Sequence, residues 1–296
     1  MDAGAHYPSD IAGLIKAALL SRRGFMSVST AAAAGYTLAA GPVRAAAIST
    51  GTDGIDTGDA KVNVSGGDMP VYFSRPQNVQ NPPVILVAME IFGLHEYIKD
   101  VTRRLARLGA FAVAPDYYFR SGDLAKISAI EKLKPLVNAK PDSELLADLN
   151  ASVEWANKQG GDTNRLGIVG FCRGGRTVWE FCATNGDVRA GVAFYGSLVD
   201  PPSQKPIWPK SPTDLAPDMR APVLGLYGEA DQGIPVTQVE TMKAALLAAG
   251  KTAEFIIYPG APHGFHADYR SSYHEPTAHD AWQRTGAWFK QWGVLN

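Results

Sequence analysis

A cysteine enclosed by glycines offers the clearest chemistry in this sequence. The apolar run 166–171 leads into Cys172, and the residues after it have helical spacing, so the local pattern is strand, Gly-x-Cys-x-Gly and helix. This pattern predicts a sharp turn that holds a nucleophile at the edge of a sheet. A side chain at Gly170 or Gly174 would collide with backbone in so tight a turn. Cys172 is therefore the candidate nucleophile, in the place that serine usually takes.

Two later segments supply the groups that activate such a nucleophile. His263 follows the apolar run that ends at Tyr258, and Asp231 follows the run that ends at Tyr227. Nucleophile, acid and base in this order, each after its own strand, is the order used by α/β-hydrolases. We assign His263 as the base that takes the thiol proton and Asp231 as the acid that orients its imidazole. Asp231 is preferred because it lies just before the Gly-Ile-Pro that opens the next helix, and Glu229 remains a second candidate.

Backbone donors for the developing oxyanion follow from the same pattern. The N–H of Arg173 comes directly after the nucleophile, and the N–H of Ile91 lies in the loop after the first fully apolar run, 84–88. Both positions are typical of the oxyanion hole in this arrangement, in which backbone N–H groups meet the negative oxygen. We expect these two groups to stabilise the tetrahedral intermediate.

Short apolar strands alternate with amphipathic helices through the rest of the chain. Strands are predicted at 61–64, 71–74, 84–88, 111–114, 166–171, 191–195, 223–227 and 255–258, and helices at 98–108, 125–137, 143–158, 236–249 and 277–292. This alternation predicts an α/β-hydrolase fold with a mostly parallel central sheet and helices on both faces, as one domain over residues 48–296. The segment 200–222 holds seven of the 20 prolines. It is predicted to be an extended loop without a helix, beside the active-site edge.

The first 47 residues are typical of an export signal. Arg22 and Arg23 stand in a twin-arginine pattern, followed by an alanine-rich apolar stretch, 28–40, and by small residues at 45–47. The apolar stretch is shorter than the ~20 residues of a membrane anchor. We therefore expect export through the twin-arginine machinery to the periplasm or beyond, without a membrane anchor. The alternative is a helix that contains two arginines.

Composition excludes several other functions. A formal charge of -1, without a lysine or arginine run, gives no reason to expect nucleic-acid binding, so the substrate should be a small molecule. No phosphate loop or dinucleotide fingerprint is present, and no cofactor or metal is expected. Cys172 and Cys182 are ten residues apart on one predicted helix, or ~15 Å along its axis, too far for a disulfide.

Several separated motifs resemble those of the dienelactone hydrolase family, which are cysteine hydrolases of the α/β-hydrolase fold. The similarity runs from about Val71 to near the end of the chain and includes the nucleophile turn, 170–175, and the oxyanion-side loop, 90–93. The resemblance implies hydrolysis of an ester or lactone bond through Cys172, Asp231 and His263. It also implies that Arg120 binds a substrate carboxylate and that Tyr195 lines the pocket.

One difference from the family concerns the substrate. Its best-known members have a second carboxylate-binding arginine four residues after the catalytic histidine, and this chain has Ala267 there. His266 or Arg270 are the candidates to replace it. The hydrolytic chemistry does not depend on this position, so the alternatives are a general carboxylesterase or, outside enzymes, a catalytically silent binding protein on the same fold.

The resemblance also places Glu90 close to the thiol. Its carboxylate would oppose ionisation of Cys172 by like charge. One interpretation is that Glu90 keeps the resting cysteine as a neutral thiol until an anionic substrate enters. The other is that Glu90 has a structural role, paired with Arg120 or Arg173.

Overall fold

An eight-stranded sheet organises the computed structural model, which describes residues 48–296. Its strands are β1 Ile55–Val64, β2 Gly67–Pro76, β3 Pro83–Ala88, β4 Phe111–Pro115, β5 Asp162–Phe171, β6 Val188–Phe194, β7 Val223–Gly228 and β8 Ala253–Tyr258. They lie in the order β1-β2-β4-β3-β5-β6-β7-β8. The pairs β1–β2 and β2–β4 are antiparallel, and all other neighbours are parallel. The predicted opening pair and mostly parallel sheet are confirmed, whereas the predicted export signal lies outside the described residues and stays a prediction.

Helices cover both faces of this sheet. They are α1 Glu96–Arg107, α2 Ile130–Asn138, α3 Asp142–Lys158, α4 Arg173–Thr184, α5 Val236–Ala248 and α6 Glu275–Gln291. A Cβ on Gly167 would meet Phe289 of α6, and a Cβ on Gly191 would meet Cys182 of α4. Gly191 pairs with Ile168, the residue after Gly167, and successive residues of a strand point to opposite faces. The helices α4 and α6 therefore lie on opposite faces, as an α/β-hydrolase fold requires.

Three strands of the sheet are buried along their whole length. Every residue of β3, β4 and β7 is buried, because helices pack on both sides of them. This burial explains why these strands appear in the sequence as continuous apolar runs without alternation. Within residues 48–296, no helix has the length and apolar character needed to cross a membrane.

Two predictions of local structure were wrong. The predicted helix 125–137 is divided, because the Asp123 carboxylate accepts the N–H of Ala125 and a separate 3₁₀ turn forms at Leu124–Lys126 before α2 begins at Ile130. The proline-rich segment 200–222 contains 3₁₀ helices at Pro202–Gln204 and Pro212–Asp218. Proline occupies their first turns, where its missing N–H has no cost.

The segment 200–222 also packs on the helix that follows the candidate nucleophile. Arg176 of α4 donates from Nε to the Asp200 carboxylate at 2.8 Å. Trp208 is buried, donates from Nε1 to the carbonyl of Lys140 at 3.0 Å, and lies under the Arg176 guanidinium at 4.8 Å. These contacts attach the segment firmly to α4.

We expect Arg176→Met to destabilise the protein by ~3–5 kcal/mol, because it would remove the cation from the buried Asp200 carboxylate and one of the two arginines that pair with Asp142 and Glu180. Arg176 lies 3.0 Å from Asp142, 2.5 Å from Glu180 and 2.6 Å from Asp200. The control is Lys243→Met, which breaks an exposed pair with Glu240 and should cost less than ~1 kcal/mol. Urea unfolding of both variants measures the difference, and equal losses would contradict the prediction.

Candidate active site

The chain turns sharply at Cys172, between β5 and α4. Cys172 has φ 56° and ψ -117°, a strained conformation for a residue with a side chain. A Cβ on Gly170 would lie 2.2 Å from the carbonyl oxygen of Gly174, and a Cβ on Gly174 would lie 2.0 Å from that of Ala88. Glycine is therefore required at both positions, and the thiol is held at the carboxyl edge of the sheet.

His263 and Asp231 meet at the same edge. Nδ1 of His263 lies 2.7 Å from Oδ2 of Asp231, and both side chains are buried. The other carboxylate oxygen accepts the N–H groups of Gly233 at 2.8 Å and Ile234 at 3.0 Å. Because a carboxylate only accepts, Nδ1 carries a proton, and Nε2 is the nitrogen left to take the proton of the thiol. Glu229, the second candidate acid, is exposed and instead accepts the N–H of Gly260 at 3.0 Å.

The imidazole of His263 interacts with the side chain of Cys172 as well. Burial by itself lowers the pKa of His263, but the Asp231 charge, the hydrogen bond to Asp231 and the interaction with Cys172 raise this pKa to about 10. Asp231 therefore stabilises the imidazolium that forms when the thiol proton moves to the ring. The arrangement is suited to general-base activation of a thiol.

The candidate oxyanion donors belong to two segments that pack against each other. Arg173 is the first residue of α4, so its N–H has no acceptor within the helix. The first turn of α4 packs against the loop that carries Ile91, because a Cβ on Gly174 would lie 2.7 Å from the carbonyl oxygen of Met89. The partial positive charge at this helix start also favours a thiolate or an oxyanion. The side chain of Arg173 points elsewhere and contacts Asp142 at 3.0 Å.

Glu90 is fully buried and paired with residues that follow the candidate base. Oε1 accepts from Nη2 of Arg270 at 3.1 Å, and Oε2 accepts from the Tyr269 hydroxyl at 2.5 Å. Nε2 of His95 lies 3.5 Å from Oε2. Burial by itself raises the pKa of Glu90, but Arg270, His95 and Tyr269 lower it to about 2. Glu90 is thus a carboxylate, and its cationic partner is Arg270 rather than either arginine expected from the sequence.

Arg270 is the buried cation of this site. Its guanidinium lies over the ring of Phe92 at 4.7 Å, and its Nε donates to the Tyr269 hydroxyl at 3.0 Å. It also interacts electrostatically with Cys172. The structure therefore places Arg270 where the charge of a substrate bound at the thiol would be felt.

Arg120 has contacts of a different kind. Its guanidinium donates to both carboxylate oxygens of Asp148, at 2.8 and 2.9 Å, and to the carbonyl of Ser65 at 2.9 Å. Ser65 belongs to the turn between β1 and β2, so this turn and α3 both bind the guanidinium. None of the contacts of Arg120 within residues 48–296 is with Cys172, Asp231 or His263, and the expectation that it binds a substrate carboxylate is not supported by this geometry.

His266 is a packing residue in the structure. Its Nδ1 lies 2.7 Å from the Tyr97 hydroxyl, and its ring stacks on Phe171, which directly precedes the candidate nucleophile, at 5.3 Å. Burial, helped by the charge of Arg104, lowers the pKa of His266 to about 3. His266 is therefore neutral near pH 7 and does not offer a positive charge to a substrate.

Tyr195 lies against the candidate base. Its ring centroid is 5.0 Å from that of His263, and its φ of 37° is another strained conformation at the end of a strand. The N–H of Tyr195 donates to the carbonyl of Leu226 at 2.8 Å, which holds the residue at the sheet edge. That Tyr195 lines a substrate pocket stays a prediction.

Sequence reasoning missed His95, Tyr97 and Tyr269. All three are buried around Glu90 and His266. The sequence offered one weak signal for two of them: Tyr269 is next to Arg270, and His95 follows the loop 90–93. No group of three or more His, Cys, Asp or Glu side chains in the described part of the chain is arranged to hold a metal ion.

Known proteins are similar to this chain in sequence and in fold. The profile of the Dienelactone hydrolase family matches residues 69–293. A candidate carboxymethylenebutenolidase of Methylorubrum extorquens is 47% identical over 291 residues, 97% of this chain and 99% of that protein. A candidate 2-oxo-3-(5-oxofuran-2-ylidene)propanoate lactonase of a Bradyrhizobium species is 31% identical over 76% of this chain and 90% of that protein. The crystal structure of a candidate dienelactone hydrolase from Klebsiella pneumoniae has a TM-score of 0.78 at 49% identity, and covers 80% of this chain and 99% of its own.

We expect Asp231→Asn to destabilise the protein most at low pH within the range 6 to 10. The folded-state pKa of His263, about 10, lies above its ordinary value of 6.5, so protonated His263 stabilises the fold fully below pH 6.5 and loses this effect as pH rises towards 10. Urea unfolding at pH 6, 8 and 10 measures the difference between parent and variant. Asp56→Asn, on an exposed side chain, is the control. A difference that is the same at all three pH values would contradict the prediction.

Proposed function

The chain belongs to the dienelactone hydrolase family, and we propose that it hydrolyses ester or lactone bonds of small, carboxylate-bearing substrates through Cys172, His263 and Asp231. One observation carries the proposal. Cys172 stands in a strained turn at the start of α4, and the imidazole that interacts with it is itself held by the Asp231 carboxylate at 2.7 Å. A thiol packed only for structure requires neither the strain nor the oriented base.

The proposed reaction proceeds through an acyl-thioester. Nε2 of His263 takes the proton of Cys172, and the thiolate attacks the carbonyl carbon of the substrate. The N–H groups of Arg173 and Ile91 stabilise the oxyanion. The carbon–oxygen bond to the leaving group then breaks, and the leaving oxygen receives the proton from His263. A water molecule, deprotonated by His263, attacks the thioester, and the carboxylic acid leaves as the proton returns to the sulfur.

The carboxylate preference is supported by Arg270. This buried cation interacts electrostatically with Cys172, and its charge is balanced by Glu90 at 3.1 Å. A substrate carboxylate that binds Arg270 would compete with Glu90 for the same guanidinium, whose planar donors suit carboxylates. The two relatives described above carry names that combine a lactone ring with a carboxyl group.

Glu90 then has a regulatory place in the proposal. Its negative charge opposes formation of a second anion at Cys172 while no substrate is bound. Glu90 would therefore make the cysteine of the resting enzyme less reactive towards other electrophiles.

We expect Cys172→Ala to lower kcat/KM for p-nitrophenyl acetate and for a panel of lactones by at least ~10²-fold, because the covalent intermediate is lost. Cys182→Ala is the matched control, since Cys182 is the other buried free thiol of the described residues and lies further along α4. This variant should keep nearly the parent activity. Equal turnover by Cys172→Ala and the parent would remove the nucleophile assignment.

We compare kcat/KM for lactones that carry a carboxylate with kcat/KM for their neutral methyl esters. We expect Arg270→Gln to lower this ratio by ~10–100-fold, because a charged hydrogen bond of ~1.5–3 kcal/mol is lost. Arg120→Gln should not change this ratio, because Arg120 contacts Asp148 and Ser65.

The double variant Glu90→Gln/Arg270→Gln controls for the buried carboxylate that the single change leaves without its cation. Its thermal midpoint is compared with that of the parent before the kinetics are measured. If the ratio of kcat/KM for carboxylate and methyl-ester substrates falls in Arg120→Gln and not in the Arg270 variants, the assignment of Arg270 is contradicted. Arg120 is then the residue that binds the carboxylate.

A further inference from the structure

The hydroxyl of Tyr118 is buried and has no hydrogen-bond partner among the described residues. The side chain of Tyr118 is 1% exposed. The neighbouring Tyr117 hydroxyl donates to the carbonyl of Met89 at 2.7 Å, and those of Tyr227 and Tyr269 are likewise bonded to protein groups. A buried hydroxyl without a hydrogen-bond partner destabilises the fold, and most buried polar groups in proteins have a partner. We therefore expect an acceptor from outside the chain at this hydroxyl.

The position of Tyr118 identifies where this acceptor would lie. Tyr118 follows β4, whose carboxyl end neighbours that of β3, and its ring centroid is 4.9 Å from that of Tyr117. Tyr117 in turn is bonded to Met89, against which the first turn of α4 packs. The hydroxyl of Tyr118 also interacts electrostatically with Cys172 and Arg173. Through Tyr117 and Met89, Tyr118 therefore lies near the start of α4, on the side of β4.

Other substrate oxygens already have donors in the proposed reaction. The carbonyl oxygen is met by backbone N–H groups, the leaving oxygen by His263, and a carboxylate by Arg270. Arg270 belongs to the segment that follows His263 and is bonded to Glu90 and Tyr269. The hydroxyl of Tyr118 remains for a further oxygen on the acyl part of the substrate.

We propose that Tyr118 determines substrate specificity by donating a hydrogen bond to a keto, hydroxyl or carboxyl oxygen of the acyl group, apart from the ester bond that is cleaved. The proposal rests on the hydrolase activity proposed above and narrows its substrate class. A site built around a buried donor discriminates strongly against substrates without the matching acceptor, because the donor is then left unpaired.

The test uses a series of phenyl pentanoates with a ketone at different carbons of the acyl chain, and plain phenyl pentanoate as reference. These neutral esters do not depend on a charge at Arg270. The parent should hydrolyse at least one keto ester ~10-fold faster in kcat/KM than the reference, as a donor left unpaired would require. Tyr118→Phe should reduce this ratio ~10-fold, because the hydrogen bond to the keto oxygen is lost, while kcat/KM for the reference is unchanged or higher.

A stability measurement separates this role from a structural one. Tyr118→Phe removes a hydroxyl that has no protein partner, so its thermal midpoint should be unchanged or higher. Tyr117→Phe loses its hydrogen bond to Met89 and should have a lower midpoint. A fall in the midpoint of Tyr118→Phe as large as that of Tyr117→Phe would overturn the proposal.

The kinetic outcomes separate the two proposals. If the parent hydrolyses the reference ester through Cys172 but shows no preference for any keto ester, the Tyr118 assignment is overturned and the hydrolase stands. The Tyr118 assignment is also overturned if Tyr118→Phe changes kcat/KM for the keto esters and for the reference ester by the same factor. If the parent and Cys172→Ala turn over all esters alike, the hydrolase proposal itself fails, and the Tyr118 assignment falls with it.

Discussion

Close contact between backbone segments at Cys172 is the constraint on which the whole site depends. Besides Gly170 and Gly174, a Cβ on Gly175 would lie 2.5 Å from the carbonyl oxygen of Phe194, and a Cβ on Gly196 would lie 2.2 Å from the backbone of Gly175. The ends of β3, β5 and β6 and the start of α4 can therefore approach each other only through glycine. Their approach lifts the thiol above the sheet and brings the N–H of Arg173 beside the loop after β3.

Buried charges then fix the groups around the thiol. On one side Arg173 and Arg176 are paired with Asp142, Glu180 and Asp200, which hold α4 and the segment 200–222 together. Burial raises the pKa of Glu180 to about 8 in spite of both arginines, and Asp142 adds to this effect, so these two carboxyl groups compete for one proton near neutral pH. On the other side Arg270 is paired with Glu90. Such pairs cost desolvation, and their value here lies in a site that is already organised before substrate binds.

The order of the reactive residues along the chain was sufficient to predict which of them lie together in the structure. The strand–turn–helix pattern around Cys172 and the positions of Asp231 and His263 after later strands are local features, and parallel strands end at one edge. The same reasoning was insufficient for Arg120, because the partners of an arginine depend on which loops fold over it. The turn after β1 and the helix α3 bind its guanidinium through Ser65 and Asp148, and no local pattern in the sequence shows this.

The sequence by itself determined the fold class, the tight turn and the candidate nucleophile, because strand periodicity, glycine spacing and the order of reactive residues are local properties of the chain. Only the tertiary structure decided which charges meet. Glu90 and Arg270 are separated by 180 residues and form an ion pair at 3.1 Å, and His266 is buried as a neutral ring rather than exposed as a cation. Electrostatic partners depend on distance in space and on burial, which residue spacing along the chain does not specify.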